Sequence, residues 1–153
     1  MSEPSEAVKR QGWSKNLADC DQKIINAYPI VAAKFGMAHP DLWMRNDYSW
    51  RSAEFQHSLF EKGRKLVNGV WVLVDPALKV TNNDGILNPS KHQPYPSHAL
   101  DFIIFRGQAA LWSSKTDLVS KALYEEVGHL FESQGLVSGA FWKWVDAGHV
   151  QIA

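Results

Sequence analysis

The amino-acid sequence predicts an α+β protein with a small, mainly antiparallel sheet flanked by helices. Three observations predict it. Apolar residues recur at helical spacing in two long segments, Ser14 to Gly36 and Thr116 to Gln134. The stretch Ala99 to Phe105 reads as a strand that is apolar on both faces. Helical segments come first and strands then mix with helices, without the regular alternation that builds a parallel sheet.

Taken in order, residues 1–13 are polar and expected to be loosely ordered. Ser14 is an expected N-cap, with Leu17, Cys20, Ile24 and Tyr28 at spacings of three and four. Pro29 predicts a kink or restart, and the helix then runs to Gly36. Leu42 to Trp50 is an expected strand. Ser52 caps a helix with Phe55 and Leu59 on one face, stopped at Gly63. The runs "GVWVLVD" and "LKV" after Asn68-Gly69 read as short strands, and "TNNDG" as a turn without the ligand spacing of a calcium loop. A Pro-rich loop, Pro89 to Pro96, leads into the strand that holds Asp101. Thr116 then caps a helix whose apolar face is Val119, Leu123, Val127 and Leu130, ended by Gly135. The C-terminal "GAFWKWVDAGHVQIA" reads as a Trp-rich strand, a tight Ala-Gly bend and a second short strand. Trp142 and Trp144 are expected in the core.

Bulk composition excludes several classes. The chain has 153 residues, enough for one ordinary domain, and no linker or repeat divides it. Hydrophobic content of 45% excludes a disordered tail protein. Lys+Arg and Asp+Glu both number 16, and no basic stripe is present, so a nucleic-acid partner is not expected. No run approaches the roughly 18 apolar residues of a membrane span, and no stable membrane association is expected. The N-terminus lacks the apolar region of a secretory signal. Cys20 is the sole cysteine, which excludes an intrachain disulfide and a Cys-rich zinc site.

Asp101 poses the chemical question. It shares a strand face with Ala99, Ile103 and Phe105, where an unpaired ionised carboxylate is very unfavourable. A salt bridge with Arg51 or Arg106, a raised pKa, or a metal ion would each answer it. Catalytic metal sites draw three side chains from His, Asp and Glu and leave a place for water. His92 lies in the loop stiffened by Pro89, Pro94 and Pro96, and can stand at a fixed distance from the strand. His98, three residues before Asp101, would face away from it along a strand. His149, with Asp146 three residues before it, is the other candidate, and Gly148 permits the local bend that would bring the two together. A carboxylate beside a metal site is what a general base requires, although Asp146 alone also suits a turn. His39, His57 and His129 read as ordinary structural residues, and helix-borne zinc motifs are absent.

These segments resemble a known family. "SKHQPYPSHALDF" followed by "DAGHVQI", with "YSWRSAEFQHSLFEKGRK" upstream, is similar to the SxH, AxD and D/ExxH pattern of zinc peptidases. That family joins D-Ala-D-Ala dipeptidases and carboxypeptidases with phage L-alanyl-D-glutamate endolysins, on a fold shared with the hedgehog signalling domain. The likeness covers most of the chain from about residue 20. It implies one Zn2+ on His92, Asp101 and His149, with Asp146 as catalytic base, Arg51 steadying charge on the substrate carbonyl, and Ser90 as a supporting hydrogen-bond partner. The His92–Asp101 spacing is longer than in many members, as in a phage-type subset, and the base is Asp where Glu is commoner. The implied function is peptidoglycan hydrolysis by a single catalytic domain spanning residues 1–153, first at L-Ala–D-Glu and second at D-Ala-D-Ala. A non-catalytic zinc-bearing module is the alternative of another class. The implied setting is a monomeric phage or prophage endolysin, made in the host cytoplasm and reaching the cell wall once the membrane is opened.

Overall fold

A computed structural model describes residues 3–153. The chain is α+β, with a small antiparallel sheet and helices on one of its faces. The expected looseness of residues 1–13 gives way to a short helix, α1 (Glu6–Gln11), because the Ser5 hydroxyl accepts from the Val8 N–H and Gly12 ends the turn at φ 86°. Met1 and Ser2 lie outside the described residues.

Ser14 does not cap a helix. Its hydroxyl donates to Asp19 at 2.5 Å, and a 3-10 turn, Leu17–Asp19, intervenes. The long helix α2 (Gln22–Ala38) starts at Asp21, whose carboxylate accepts from Lys23 N–H, and it continues through Pro29. Strand β1 (Leu42–Asn46) is shorter than the expected Leu42 to Trp50. Helix α3 (Ala53–Glu61) begins as read, with the Ser52 hydroxyl accepting from Phe55 N–H at 3.1 Å.

Strands β2 (Arg64–Val67) and β3 (Val70–Leu73) form a hairpin about Asn68-Gly69. Both turn residues have positive φ, 49° and 78°, as a two-residue hairpin with matching twist requires. The run "LKV" is not a strand, because Pro76 opens a 3-10 turn, Pro76–Leu78, capped by Asp75.

Strand β4 (Ala99–Arg106) is the centre of the sheet. β1 pairs along Phe102 to Arg106, and β5 (Ala109–Leu111) pairs from the other side along Ile104 to Arg106. Helix α4 (Leu118–Ser133) is capped by Asp117 rather than Thr116, and Leu123 and Val127 of its expected face are buried. Ser120, Leu123, Tyr124, Val127 and Phe131 are buried, while Val119 is 71% exposed.

The expected Trp-rich strand is absent. A two-residue strand, β6 (Val137–Ser138), is followed by a 3-10 turn, Gly139–Phe141, and irregular chain to Gly148. Strand β7 (His149–Gln151) then pairs with Ala99 to Asp101, which places His149 opposite Asp101. The core lies between the sheet and two helices. Leu100, Phe102 and Ile104 of β4 meet Ile24, Val31 and Phe35 of α2 and Val127 and Phe131 of α4. The other face of β4 is also buried at Ala99, Ile103 and Phe105, as the apolar run requires. Among the described residues, no helix is long and apolar enough to cross a membrane.

Two measurements check this packing. Phe131 is fully buried, with its ring 5.5 Å from Phe102 and 6.3 Å from Tyr28. Phe131→Ala removes about 3–5 kcal/mol of stability in denaturant titration. The Cys20 thiol is 2% exposed and is pushed up to about 12, first by burial and then by Asp19, Asp101 and Asp21. It therefore stays unreacted towards a thiol reagent at neutral pH and reacts at once when the chain is unfolded.

Candidate metal centre

Asp101 takes its place from β4 and is held in register on both sides. Its N–H donates to Tyr48 O at 2.9 Å, and its carbonyl accepts from Asp47 N–H at 2.7 Å. The β4–β7 register brings His149 alongside. The Ala147-Gly148 turn, closed by His149 N–H to Asp146 O at 3.2 Å, returns Asp146 to the same end of the sheet. Gly148 acts here through close approach, not positive φ. A Cβ on it would stand 2.6 Å from Phe102 O, and its own carbonyl accepts from Phe102 N–H at 2.8 Å.

His92 is positioned by its loop. Ser90 Oγ accepts from the His92 backbone N–H at 3.2 Å, which is the supporting bond expected of that serine. His92 O accepts from Arg51 N–H at 3.0 Å. The far end of the loop is anchored by Tyr95, whose hydroxyl donates to Asp19 at 2.6 Å, and by Ser97, whose N–H donates to Asp19 O at 2.8 Å.

The tautomers are decided by the outer partners. His92 Nδ1 lies 2.7 Å from Ser49 O, a carbonyl that can only accept, so Nδ1 carries a proton. Nε2 of a neutral His92 then presents a lone pair inward. His149 Nε2 is 3.0 Å from Gln151 Oε1, which leaves Nδ1 as its inward atom. Both inward nitrogens face the same carboxylate oxygen: His92 Nε2 at 3.2 Å and His149 Nδ1 at 3.1 Å from Asp101 Oδ1. Without an ion the two imidazoles meet this oxygen as protonated donors; as neutral groups, all three atoms are acceptors that repel unless a cation lies among them.

His92, Asp101 and His149 form a group that could hold a metal ion, with ligand atoms within 4.8 Å of one another. The two separations to Asp101 Oδ1, 3.2 and 3.1 Å, are close to the roughly 3.3 Å between ligand atoms of a small tetrahedral ion with bonds of about 2.0–2.1 Å. Each imidazole also has the outer acceptor that metal-binding histidines use to hold ring and tautomer.

Asp101 has an organic cation as well. Arg51 Nη2 donates to its second oxygen, Oδ2, at 2.6 Å. The salt-bridge and metal readings of this carboxylate are therefore compatible, one on each oxygen. Arg106 is not involved, because its partner is Asp41. Burial would raise the Asp101 carboxyl, but His92, His149 and Arg51 together hold it well below the usual carboxylate range. His149 is shifted upward, since the bond to and charge of Asp101 outweigh the downward pull of burial.

Arg51 Nη1 donates to Gln56 Oε1 at 3.2 Å, and its guanidinium stacks over Tyr48 at 4.7 Å. Gln56 is fully buried and donates onward to Thr81 and Asn83 O, tying α3 and the 81–83 turn to the site. Asp146 Oδ2 stands 4.0 Å from His149 Nδ1. Its carboxyl is raised first by burial and then by the charge of Asp101, against His149, His92 and Arg51. With 62% of the side chain exposed, the nearby Asp101 charge is the firmer cause. All six expected residues line one cavity of about 410 Å³, together with Trp142 and Gln151.

Three further histidines are paired elsewhere. His39 pairs with Glu126 at 2.7 Å, His57 with Glu61 at 3.2 Å, and His129 with Glu132 at 3.2 Å. Several site residues escaped the sequence reading. Gln151 was open to it, since i and i+2 share a strand face with His149. The Ser49 carbonyl was not, because a backbone acceptor leaves no mark in residue type. Trp142 and Trp144 are not core: they are 36% and 75% exposed beside the cleft, with Trp142 5.3 Å from the His149 ring. No protein-family model matches the chain, and no curated protein is found to be similar to it.

Gly148→Ala tests the close approach. The added methyl pushes β7 away from Phe102 O, and affinity for a divalent metal ion by calorimetry falls about 10–100-fold while helical circular dichroism is unchanged.

Proposed function

We propose that this protein is a zinc peptidase of bacterial peptidoglycan, with the hedgehog/DD-peptidase fold, that cuts the L-Ala–D-Glu bond of the stem peptide as an endolysin does. The observation that carries the reading is the set of three inward acceptors, His92 Nε2, Asp101 Oδ1 and His149 Nδ1, with Asp146 4.0 Å from one of them in an open cleft. Two imidazoles and one carboxylate are a usual catalytic zinc set, and borderline-soft nitrogen ligands favour zinc over magnesium or calcium.

Zinc held there supplies Lewis acidity, which acidifies water and polarises an amide carbonyl. The chain's own residues do the rest. Asp146 accepts the proton of the attacking water and delivers it to the leaving amine nitrogen as the C–N bond breaks. Arg51 has five N–H donors, of which Asp101 and Gln56 each take one, and it steadies the negative charge growing on the carbonyl oxygen. The same arginine keeps Asp101 ionised and oriented. Ser90 and Ser49 fix His92, and Gln151 fixes His149. The order of the Arg-Ser, SxH, AxD and DxxH segments supports the family resemblance, and with it the L-Ala–D-Glu bond before D-Ala-D-Ala.

Mass spectrometry of digested sacculi tests the reading. Zinc-loaded protein exposes new amino groups on D-Glu, chelator abolishes this, and Asp146→Asn lowers the rate about 10²–10⁴-fold with zinc binding retained. Release of D-Ala alone identifies the carboxypeptidase instead. Zinc binding without any cleavage identifies a non-catalytic module.

A further inference from the structure

We infer that the cleft continues into a second subsite that binds a carboxylate of the substrate peptide. This rests on the peptidase reading and adds to it the feature of the substrate that sets its register.

The observation is a cavity of about 350 Å³ lined by three lysines, two from neighbouring positions and one from the C-terminal segment. Lys115 comes from the segment after β5, Lys121 from the first turns of α4, and Lys143 from the irregular chain before β7. Trp144 forms one wall, 75% exposed, with Lys143 Nζ 5.7 Å from its ring. No acidic residue lines this cavity. Lys121 is paired with Glu125, whereas Lys115 and Lys143 have no carboxylate partner among the described residues.

Its position supplies the argument. Ser113 and Ala147 line both this cavity and an adjoining one of about 280 Å³ that is bordered by Asp101 and Asp146. Asp47, Asp101 and Asp146 border the adjoining cavity, but Asp47 is paired with Lys15 and Asp101 with Arg51, whereas Lys115 and Lys143 are left without carboxylate partners on the far side of Asp146. A peptide carboxylate paired there sets the direction in which the chain crosses Asp146. The exposed Trp144 face lines the same cavity and offers apolar contact to the peptide.

The test uses zinc-loaded full-length protein and two peptides, L-Ala-γ-D-Glu-L-Lys-D-Ala with free carboxylates and the same peptide with its carboxylates amidated. Cleavage kinetics and peptide affinity, the latter from tryptophan fluorescence, are both measured. The wild type prefers the free acid by about tenfold in KM and in affinity, the value of one charge-assisted contact. Lys115→Ala/Lys143→Ala loses that preference and leaves kcat and the amidated peptide unchanged, while Lys115→Arg/Lys143→Arg keeps it. The single variant Lys143→Gln, with a partial loss, serves if the double variant does not fold. An unchanged preference in the variants, or an equal loss on both peptides, overturns the subsite and leaves the peptidase standing. If the wild type cuts neither peptide, the peptidase reading falls; the affinity difference then decides the subsite alone, its presence supporting it and its absence overturning it.

Discussion

The Asp101 carboxylate is the point on which the rest of the structure turns. It sits on the central strand of the sheet, between apolar neighbours, and both of its oxygens are engaged. Oδ2 receives the Arg51 guanidinium at 2.6 Å, and Oδ1 faces two imidazole nitrogens at 3.1 and 3.2 Å. A carboxylate so placed costs several kcal/mol in lost hydration, which the Arg51 guanidinium and the groups facing Oδ1 must offset. The demand reaches outward through four segments: the Pro-rich loop with His92, the C-terminal strand with His149, the Arg51 bridge, and helix α3 with Gln56 behind Arg51.

Rigidity around this point is built from backbone as much as from side chains. Ser49 O serves both His92 Nδ1 and the Ser97 hydroxyl, so one carbonyl orients the imidazole and pins the end of its loop. Asp19 does the same at a distance, through Tyr95 and Ser97. Gly148 lets β7 approach Phe102 closely enough to set His149 opposite Asp101. The three residues that could hold an ion thus stand on a strand, a strand end and a braced loop, the kind of support that keeps side chains within tenths of an ångström of one geometry. The surroundings differ in kind: Trp142, Trp144, Lys115 and Lys143 are exposed beside the cleft.

The errors of element reading have separate physical causes. The helix expected from Ser14 starts at Asp21 because the Ser14 hydroxyl is taken by Asp19. Helix α4 starts one residue later than expected because Asp117, not Thr116, supplies the capping oxygen, and Val119 in its first turn is exposed while Leu123 and Val127 are buried. The Trp-rich segment has the composition of a strand but no partner strand. β6 ends at Ser138, whose hydroxyl accepts from Ala140 N–H, and the chain turns away. Indole size suggested the core; the position beside a cleft decided otherwise.

Local chemistry was enough to mark the essential groups. A charged residue in a strand apolar on both faces must be compensated, whatever the fold, so Asp101 was legible from its neighbours alone. Proline stiffness drew attention to His92, and the Asp146 to His149 spacing to the turn between them. The same sequence left open whether Asp101 meets Arg51, Arg106 or a metal ligand set. That choice depends on which strands pair and in which register, a matter of long-range packing that no short segment contains. Tertiary structure alone placed Arg51 on one oxygen and the histidines on the other, assigned Arg106 to Asp41, and set Lys143 in one cavity with Lys115 and Lys121. Burial is a property of a segment and can be read locally, whereas partnership belongs to two segments and exists only once they are folded together.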